Sequence, residues 1–283
     1  MKLLLAGLCT VDVVQRVDEL PAPGEKVQSL RVDVAAGGPA TNAAVTAAAL
    51  GAEATLLTVL GAHPLAALAR ADLESHGVHL IDLAPSLPDP PPVSAVAVRD
   101  HDGERTVVSR NAQDRTFLEK VPFFGADEVR GADVVLLDGH YPELALAVAR
   151  GTKAPVVLDA GSWKPVLDEL LPLVDVAACS AHFKAPEPGL HARGVPTVIT
   201  TAGPGPVRWS TADGGSGEVP VPAVEARDTL GAGDVWHGAL AVAVARERTV
   251  PDRIRFANEV AAERVRQVGP RSWTTAIAGR NRT

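Results

Sequence analysis

Two glycines flank an alanine and lead straight into an acidic residue in Asp228-Thr229-Leu230-Gly231-Ala232-Gly233-Asp234, and an apolar pattern of helical spacing begins at once with Val235, Trp236, Ala239, Leu240, Ala243 and Val244. Without a Cβ at the glycines, the backbone N–H groups of Gly231, Ala232 and Gly233 can converge into a nest for an anion. The helix that follows adds unpaired N–H groups and the positive end of its dipole. An aspartate aimed into such a pocket is electrostatically odd. It makes sense if Asp234 accepts the proton of a hydroxyl that is about to attack a phosphoryl group. The competing reading is an ordinary tight turn with Asp234 as a helix N-cap, because both residue types favour those places.

A second candidate cluster lies far upstream, in Gly37-Gly38-Pro39-Ala40-Thr41-Asn42-Ala43-Ala44, with Gly51 and Gly61 beyond it. A Gly-Gly bend with proline at the first helical position predicts a helix start, and Gly51 falls just past the end of the alanine-rich run. The glycines let the backbone approach a ligand closely, and Asn42 offers a donor and an acceptor in the first turn. Ala43 to Ala49 read as plain helix packing. A cap alone requires neither the two glycines nor Asn42.

Elements must hold these clusters. The 283 residues suffice for one large α/β domain. Aromatic residues are only 4% of a chain that is 46% hydrophobic, so the core must be built from Ala, Val and Leu, as suits a parallel sheet covered on both faces. Short apolar runs at Leu3 to Cys9, Thr55 to Leu60, Val134 to Leu137, Val156 to Leu158, Val176 to Cys179 and Thr197 to Thr200 read as buried strands. Between them, Pro39 to Leu50, Pro64 to His76, Pro142 to Arg150, Pro165 to Leu171 and Pro186 to Arg193 read as helices opened by proline. That alternation predicts right-handed crossovers and a mostly parallel sheet. Asp12 to Val34 and Val93 to Arg110 break it with period-two alternation, and they predict a small β-sheet lid beside the strand C-termini. Pro85 to Pro92 reads as the stiff connector into that lid.

A net charge of −7 argues against a nucleic-acid partner, whose footprint would be a basic face; Arg264 to Arg271 is interrupted and reads as solvated helix surface. Cys9 and Cys179 sit in apolar runs and read as small buried hydrophobes. No segment has the length needed to cross a bilayer, and the apolar start at Met1 to Ala6 is too short for a signal peptide, so a cytoplasmic location is expected.

The run Asp228 to Ala241 resembles the C-terminal signature of the PfkB-type, or ribokinase-like, carbohydrate kinases, and Gly37 to Gly61 has the spacing of their N-terminal signature. Two specific motifs in the right order carry far more than one glycine-rich turn. The resemblance runs from Asp12 to about Gly269, and it is closest to the ketohexokinase and sulfosugar-kinase-like branch. It implies one ribokinase-like domain over residues 1–283, with lid insertions at about 12–34 and 93–110, and an ATP-dependent kinase acting on a hydroxyl of a small sugar. Asp234 is then the catalytic base, and the Gly231, Ala232 and Gly233 backbone is the anion hole.

By the same resemblance Asp12, Gly37, Gly38 and Asn42 hold the sugar, and Arg105 in Gly103-Glu104-Arg105-Thr106 reaches the reacting groups from the lid. Thr200, Ala202, Gly203 and Gly205 resemble the Thr-x-Gly-x-x-Gly turn on the nucleotide side, with Ala202 in place of the first glycine. Asn258, in a helix opened by Phe256-Ala257-Asn258, resembles the position flanking adenine, and Gly233 also faces ATP. Magnesium is expected to bridge the β- and γ-phosphates. Ser180-Ala181-His182-Phe183 stands where many members have Asn-x-x-Glu, so no metal ligand is assigned. The resemblance leaves open a monovalent cation such as K+ and a homodimer formed through the lid. His140 is a candidate sugar contact or a structural hydrogen-bonder. Two rival functions remain. One is a nucleoside kinase stacking its base on Phe117, Phe123, Phe124 or Tyr141; the other is a catalytically silent homologue that binds sugar or nucleotide.

Overall fold

In a computed structural model the described residues are 1–111, 126–246 and 248–278. Phe117, Phe123 and Phe124 lie outside them. A nine-stranded sheet runs in the order β13-β12-β11-β10-β9-β8-β1-β4-β5. Its parallel part comprises β1 (Lys2–Ala6), β4 (Glu53–Thr58), β5 (Val78–Asp82), β8 (Val134–Leu137), β9 (Val156–Ala160), β10 (Val176–Cys179) and β11 (Thr197–Ala202), while β12 (Gly205–Thr211) and β13 (Ser216–Val219) add an antiparallel edge. β8, β9 and β10 are buried at every position, as strands covered on both faces must be. Alternation then sorts the core. Leu3 and Leu5 of β1 face one cluster with α1 (Pro39–Ala49), α6 (Ala232–Val244) and α7 (Val250–Arg266); Leu4 and Ala6 face the other with α4 (Pro142–Gly151) and α5 (Leu167–Leu170).

A separate sheet of four strands has the order β3-β2-β6-β7: β2 (Thr10–Val17), β3 (Arg31–Gly37), β6 (Val93–Arg99) and β7 (Arg105–Ser109). Among the described residues its own buried cluster is Val14, Val96 and Val98, with Leu230 packed against it. Leu230 belongs to the glycine-rich loop, so the small sheet rests on the candidate site.

Some boundaries differ from expectation. Pro165 to Leu171 supplies only the one-turn α5 and a 3-10 turn, Leu171–Leu173. Pro186 to Arg193 is not an α-helix: only His191–Arg193 turns, because Pro188 disfavours helical backbone at Glu187 before it. The strands β5, β12 and β13 carry polar residues at the sheet edges, so no apolar run announced them. No helix among the described residues is long and apolar enough to cross a membrane.

Candidate active site

The helices α1 and α6 cross at contact distance. A Cβ on Gly238 would lie 2.6 Å from the Ala43 carbonyl oxygen and 2.8 Å from its Cα, so only glycine allows this approach. One residue before Ala43 on α1 and one turn before Gly238 on α6, that approach brings Asn42 against Asp234: the Asn42 Nδ2 donates to Asp234 Oδ2 at 2.8 Å. Which way the amide points is fixed from behind, because Arg271 Nη1 donates to Asn42 Oδ1 at 3.0 Å. Arg271 in turn is held by the Asp72 carboxylate and the Ala36 carbonyl. Asp72 also takes the Ala36 N–H, and its carboxyl is drawn down to about 2, because its hydrogen bonds to His76, Arg271 and Ala36 outweigh the cost of its burial.

Asp234 stands in the first turn of α6, half-buried, behind a left-handed Gly231 at φ 70°. Desolvation first, and the neighbouring Asp159 carboxylate second, push its carboxyl up from 3.8 to about 6, against the pull of Asn42 and His237. The group is therefore ionised at neutral pH and poised close to it, as a general base should be. The Ala232 N–H turns back to the Thr229 carbonyl at 3.2 Å, so it is the weakest of the three expected anion-hole donors. Those of Gly231 and Gly233 have no backbone acceptor among the described residues. A Cβ on Gly233 would project into open space, and the residue is exposed.

Asp12 closes the other side. Its Oδ1 accepts from Thr10 Oγ1 at 2.6 Å, and its Oδ2 would lie 2.0 Å from a Cβ on Gly37, which explains that glycine. Burial raises the Asp12 carboxyl, against hydrogen bonds from Thr10 and Ser94 and the charge of Arg271. Gly38, at φ 97°, would clash with the Leu8 carbonyl if it carried a Cβ. Asp12, Asn42, Leu230, Gly231 and Arg264 line one small cavity. A roomier hollow by Lys2, Glu53 and Asp127 lies at the N-terminal ends of β1 and β4, away from every motif residue.

Arg105 reaches over from β7, its Nη1 donating to Thr229 Oγ1 at 2.7 Å. Beside it, Gly103 sits so close to the Arg227 and Asp228 backbone that a Cβ would lie 2.9 Å from the Arg227 oxygen. Thr200, Ala202, Gly203 and Gly205 form the β11–β12 hairpin, at the C-terminal end of a parallel strand, with Gly203 left-handed at φ 58°. Asn258 lies mid-helix in α7, 2% exposed, and does not open the helix. Its Oδ1 accepts from Trp236 Nε1 and its Nδ2 donates to the Pro220 carbonyl, so its amide braces α7 on α6 inside the protein.

Sequence reasoning missed four groups. Asp138, expected only as a neighbour of His140, accepts the N–H groups of Leu8, Ala40 and His140 and so pins β1 to the start of α1. The cost of burying its carboxyl is outweighed by His140 and those donors, which leave it below its ordinary value. His140 Nδ1 stands 3.2 Å from Asp138, which favours the structural reading of that histidine. The buried His237 Nδ1 lies 3.2 Å from Asp159 but out of line for a good hydrogen bond, while its Nε2 lies 3.2 Å from the Ala178 oxygen. Arg264 and Arg271 are not solvated surface: their side chains are 1% and 12% exposed. Arg264 Nη1 donates to the carbonyls of Asp228 and Gln267, and its Nη2 to Asp228 Oδ1 and the Leu230 carbonyl.

Residues 1–276 match the family described as pfkB family carbohydrate kinase. A ribokinase of Bacillus subtilis (strain 168) is 26% identical over 268 residues, spanning 90% of each chain. A ribokinase of Arabidopsis thaliana is 27% identical over 285 residues, 92% of this chain and 75% of that one. The solved structure of Arabidopsis thaliana ribokinase complexed with ribose and ATP has the same fold, with a TM-score of 0.78 at 23% identity and 98% of each chain covered.

Proposed function

Because the chain belongs to the pfkB family of carbohydrate kinases and is an ATP-dependent sugar kinase, we propose that Asp234 is its catalytic base and that its acceptor is a small sugar, with ribose first among the candidates. The observation that carries the assignment is the Asn42–Asp234 hydrogen bond behind the left-handed Gly231. It sets a carboxylate with a raised pKa against Asn42 and Gly231, two residues that line one small cavity together with Asp12. The Asp12 carboxylate accepts sugar hydroxyls, and Asp234 takes the proton of the attacking one. The N–H groups of Gly231 and Gly233 and the N-terminus of α6 face the charge moving through the phosphoryl group.

Arg105 adds a guanidinium whose planar fork matches the equatorial phosphoryl oxygens when the small sheet closes as a lid over the acceptor. The β11–β12 hairpin borders the nucleotide, with Thr200, Ala202, Gly203 and Gly205 as its contacts. Magnesium supplies charge neutralisation on the phosphates. Such an ion would be carried there largely by water, and among the described residues no group of three or more His, Cys, Asp or Glu could hold a metal. The small sheet exposes Val32, Val34 and Val108 on one face, an apolar face that a second copy of the chain would cover in a dimer.

The choice of ribose rests on the ribokinase relatives; a ketose is the acceptor that the resemblance to the ketohexokinase-like branch favours. A coupled assay of ADP release across ribose, ketoses, aldoses, sulfosugars and nucleosides decides between them. Turnover with nucleosides alone overturns the sugar assignment, and ATP binding without turnover on any acceptor overturns the kinase reading.

A further inference from the structure

A loop that turns its N–H groups toward an anion must turn carbonyls the other way, and something positive has to meet them. A monovalent cation is the free ion expected for that task. In this chain the place is filled. The guanidinium of Arg264 lies under the loop, and its two terminal nitrogens reach the Asp228 carboxylate and the carbonyl oxygens of Asp228, Leu230 and Gln267, the Leu230 contact being 2.6 Å. The other carboxylate oxygen accepts the Gly269 N–H at 3.0 Å and has Arg16 Nη1 at 3.8 Å. The residues around this loop therefore do not fit a free K+ ion: the oxygens that would hold it already accept from a buried cation.

We infer that Arg264 is a built-in cation, a positioning residue that holds the 228–231 carbonyls in place of a dissociable monovalent ion and so makes this kinase independent of K+. The geometry suits the task. A guanidinium has five donors in a fixed plane, stays charged at any working pH and cannot be diluted away. Arg264 faces the Asp228 carboxylate beneath the anion-binding loop, while Arg16, paired with Asp100, stands 3.8 Å from its other oxygen. The Leu230 carbonyl it holds is one residue before the left-handed Gly231 on which the exposed N–H groups depend. Arg264 itself stands on the buried stripe of α7 with Ile254, Ala257 and Val260, so its place is fixed by core packing rather than by solvent.

The kinetic arm of the test rests on the kinase reading above; the thermal arm does not. Wild type, Arg264→Ala and Arg264→Lys are compared in potassium, sodium and tetramethylammonium chloride at matched ionic strength. Wild-type kcat is expected to agree across the salts within about twofold, and its unfolding midpoint to show no saturable rise with K+. Arg264→Ala should lose about tenfold or more in kcat in tetramethylammonium, and recover part of it with added K+ or guanidinium, with a saturable K+-dependent rise in midpoint. Arg264→Lys, which keeps a charge but not the fork, should fall between. A saturable midpoint shift of the wild type with K+, or K+ activation well beyond twofold, overturns the inference, and neither needs a variant that folds. So does an Arg264→Ala protein that keeps wild-type kcat without K+. If no acceptor is phosphorylated at all, the kinase reading falls while the thermal comparison still decides the fate of Arg264.

Discussion

The α1–α6 crossing and the four-stranded sheet meet the same glycine-rich loop from two sides, and they are built differently. At the crossing, Gly238 locks against Ala43, Asn42 is fixed at both ends of its amide, and Arg264 and Arg271 are buried behind the loop. The small sheet touches the loop through Leu230, Gly103, Arg16 and the exposed Arg105, and β7 is exposed along its whole length. The first region can hold a base and two N–H groups to a fraction of an ångström, which is what acceleration of a transfer step demands. The second has few contacts to break and can move, as admission of an acceptor demands.

The sharpest way to break that comparison is Asp234→Asn. Removing a positioned base should lower kcat by about 10²–10⁴-fold while acceptor and nucleotide still bind. The same change should raise the unfolding midpoint at neutral pH. The fold raises this carboxyl from 3.8 to about 6, so it favours the protonated form. The stability this group contributes is fully present below pH about 4 and is lost as pH rises through about 6, leaving the carboxylate a liability at pH 7 that asparagine does not carry. Wild-type kcat/KM should accordingly fall on the acid side with a midpoint near pH 6. A variant that turns over within threefold of wild type sinks the assignment.

Next in size is Asp12→Ala, on the small-sheet side of the cavity. Loss of a charged acceptor costs about 1.5–3 kcal/mol per hydrogen bond, so KM for the sugar should rise about tenfold or more with little change for ATP. Equal weakening of both substrates would place Asp12 outside the sugar site. Gly238→Ala, at the crossing, should cost about 1–3 kcal/mol of stability by overpacking, because its Cβ would press on the Ala43 backbone. If the crossing positions the base, kcat falls as well. A stable variant with unchanged kcat shows that the helices yield without disturbing Asn42.

How far the sequence discloses all this depends on the kind of residue. Gly37, Gly38, Asn42 and the 228–234 run were legible because glycines at close approaches and a carboxylate after a nest are residue types that few other contexts require together. The parallel strands other than β5 were legible as apolar runs. Arg264 and Arg271 were not, since an arginine's letter does not reveal whether its guanidinium meets water or carbonyls. The signal available was position: Ile254, Ala257, Val260 and Arg264 share one helical stripe, and a charge at its end needed an explanation. Asp138 and Asp159 sit at strand ends, where polar residues are common. Asn258 was expected beside adenine by the resemblance alone, and its buried partners, Trp236 and Pro220, are too remote in sequence to be read from it.

The smallest effect expected belongs to Arg105, and it bears on whether the small sheet moves. Its guanidinium is exposed and bonded to Thr229 Oγ1 at 2.7 Å. An exposed contact of this kind is worth little to stability, so neither Arg105→Ala nor Thr229→Val should shift the unfolding midpoint by more than about a degree or two. Their kinetics should separate. If Arg105 is only a strut to Thr229, both variants lose the same bond and show the same kcat. If the sheet closes and carries the guanidinium onto the phosphoryl oxygens, Arg105→Ala should lose about three- to tenfold in kcat, while Thr229→Val frees the arginine and stays near wild type. Closure itself is read by amide exchange, which should slow in 10–17 and 93–109 when sugar and a non-hydrolysable ATP analogue bind together. Matching kcat values for the two variants, with no added protection in either segment, would leave the small sheet as a fixed wall and Arg105 as its fastening.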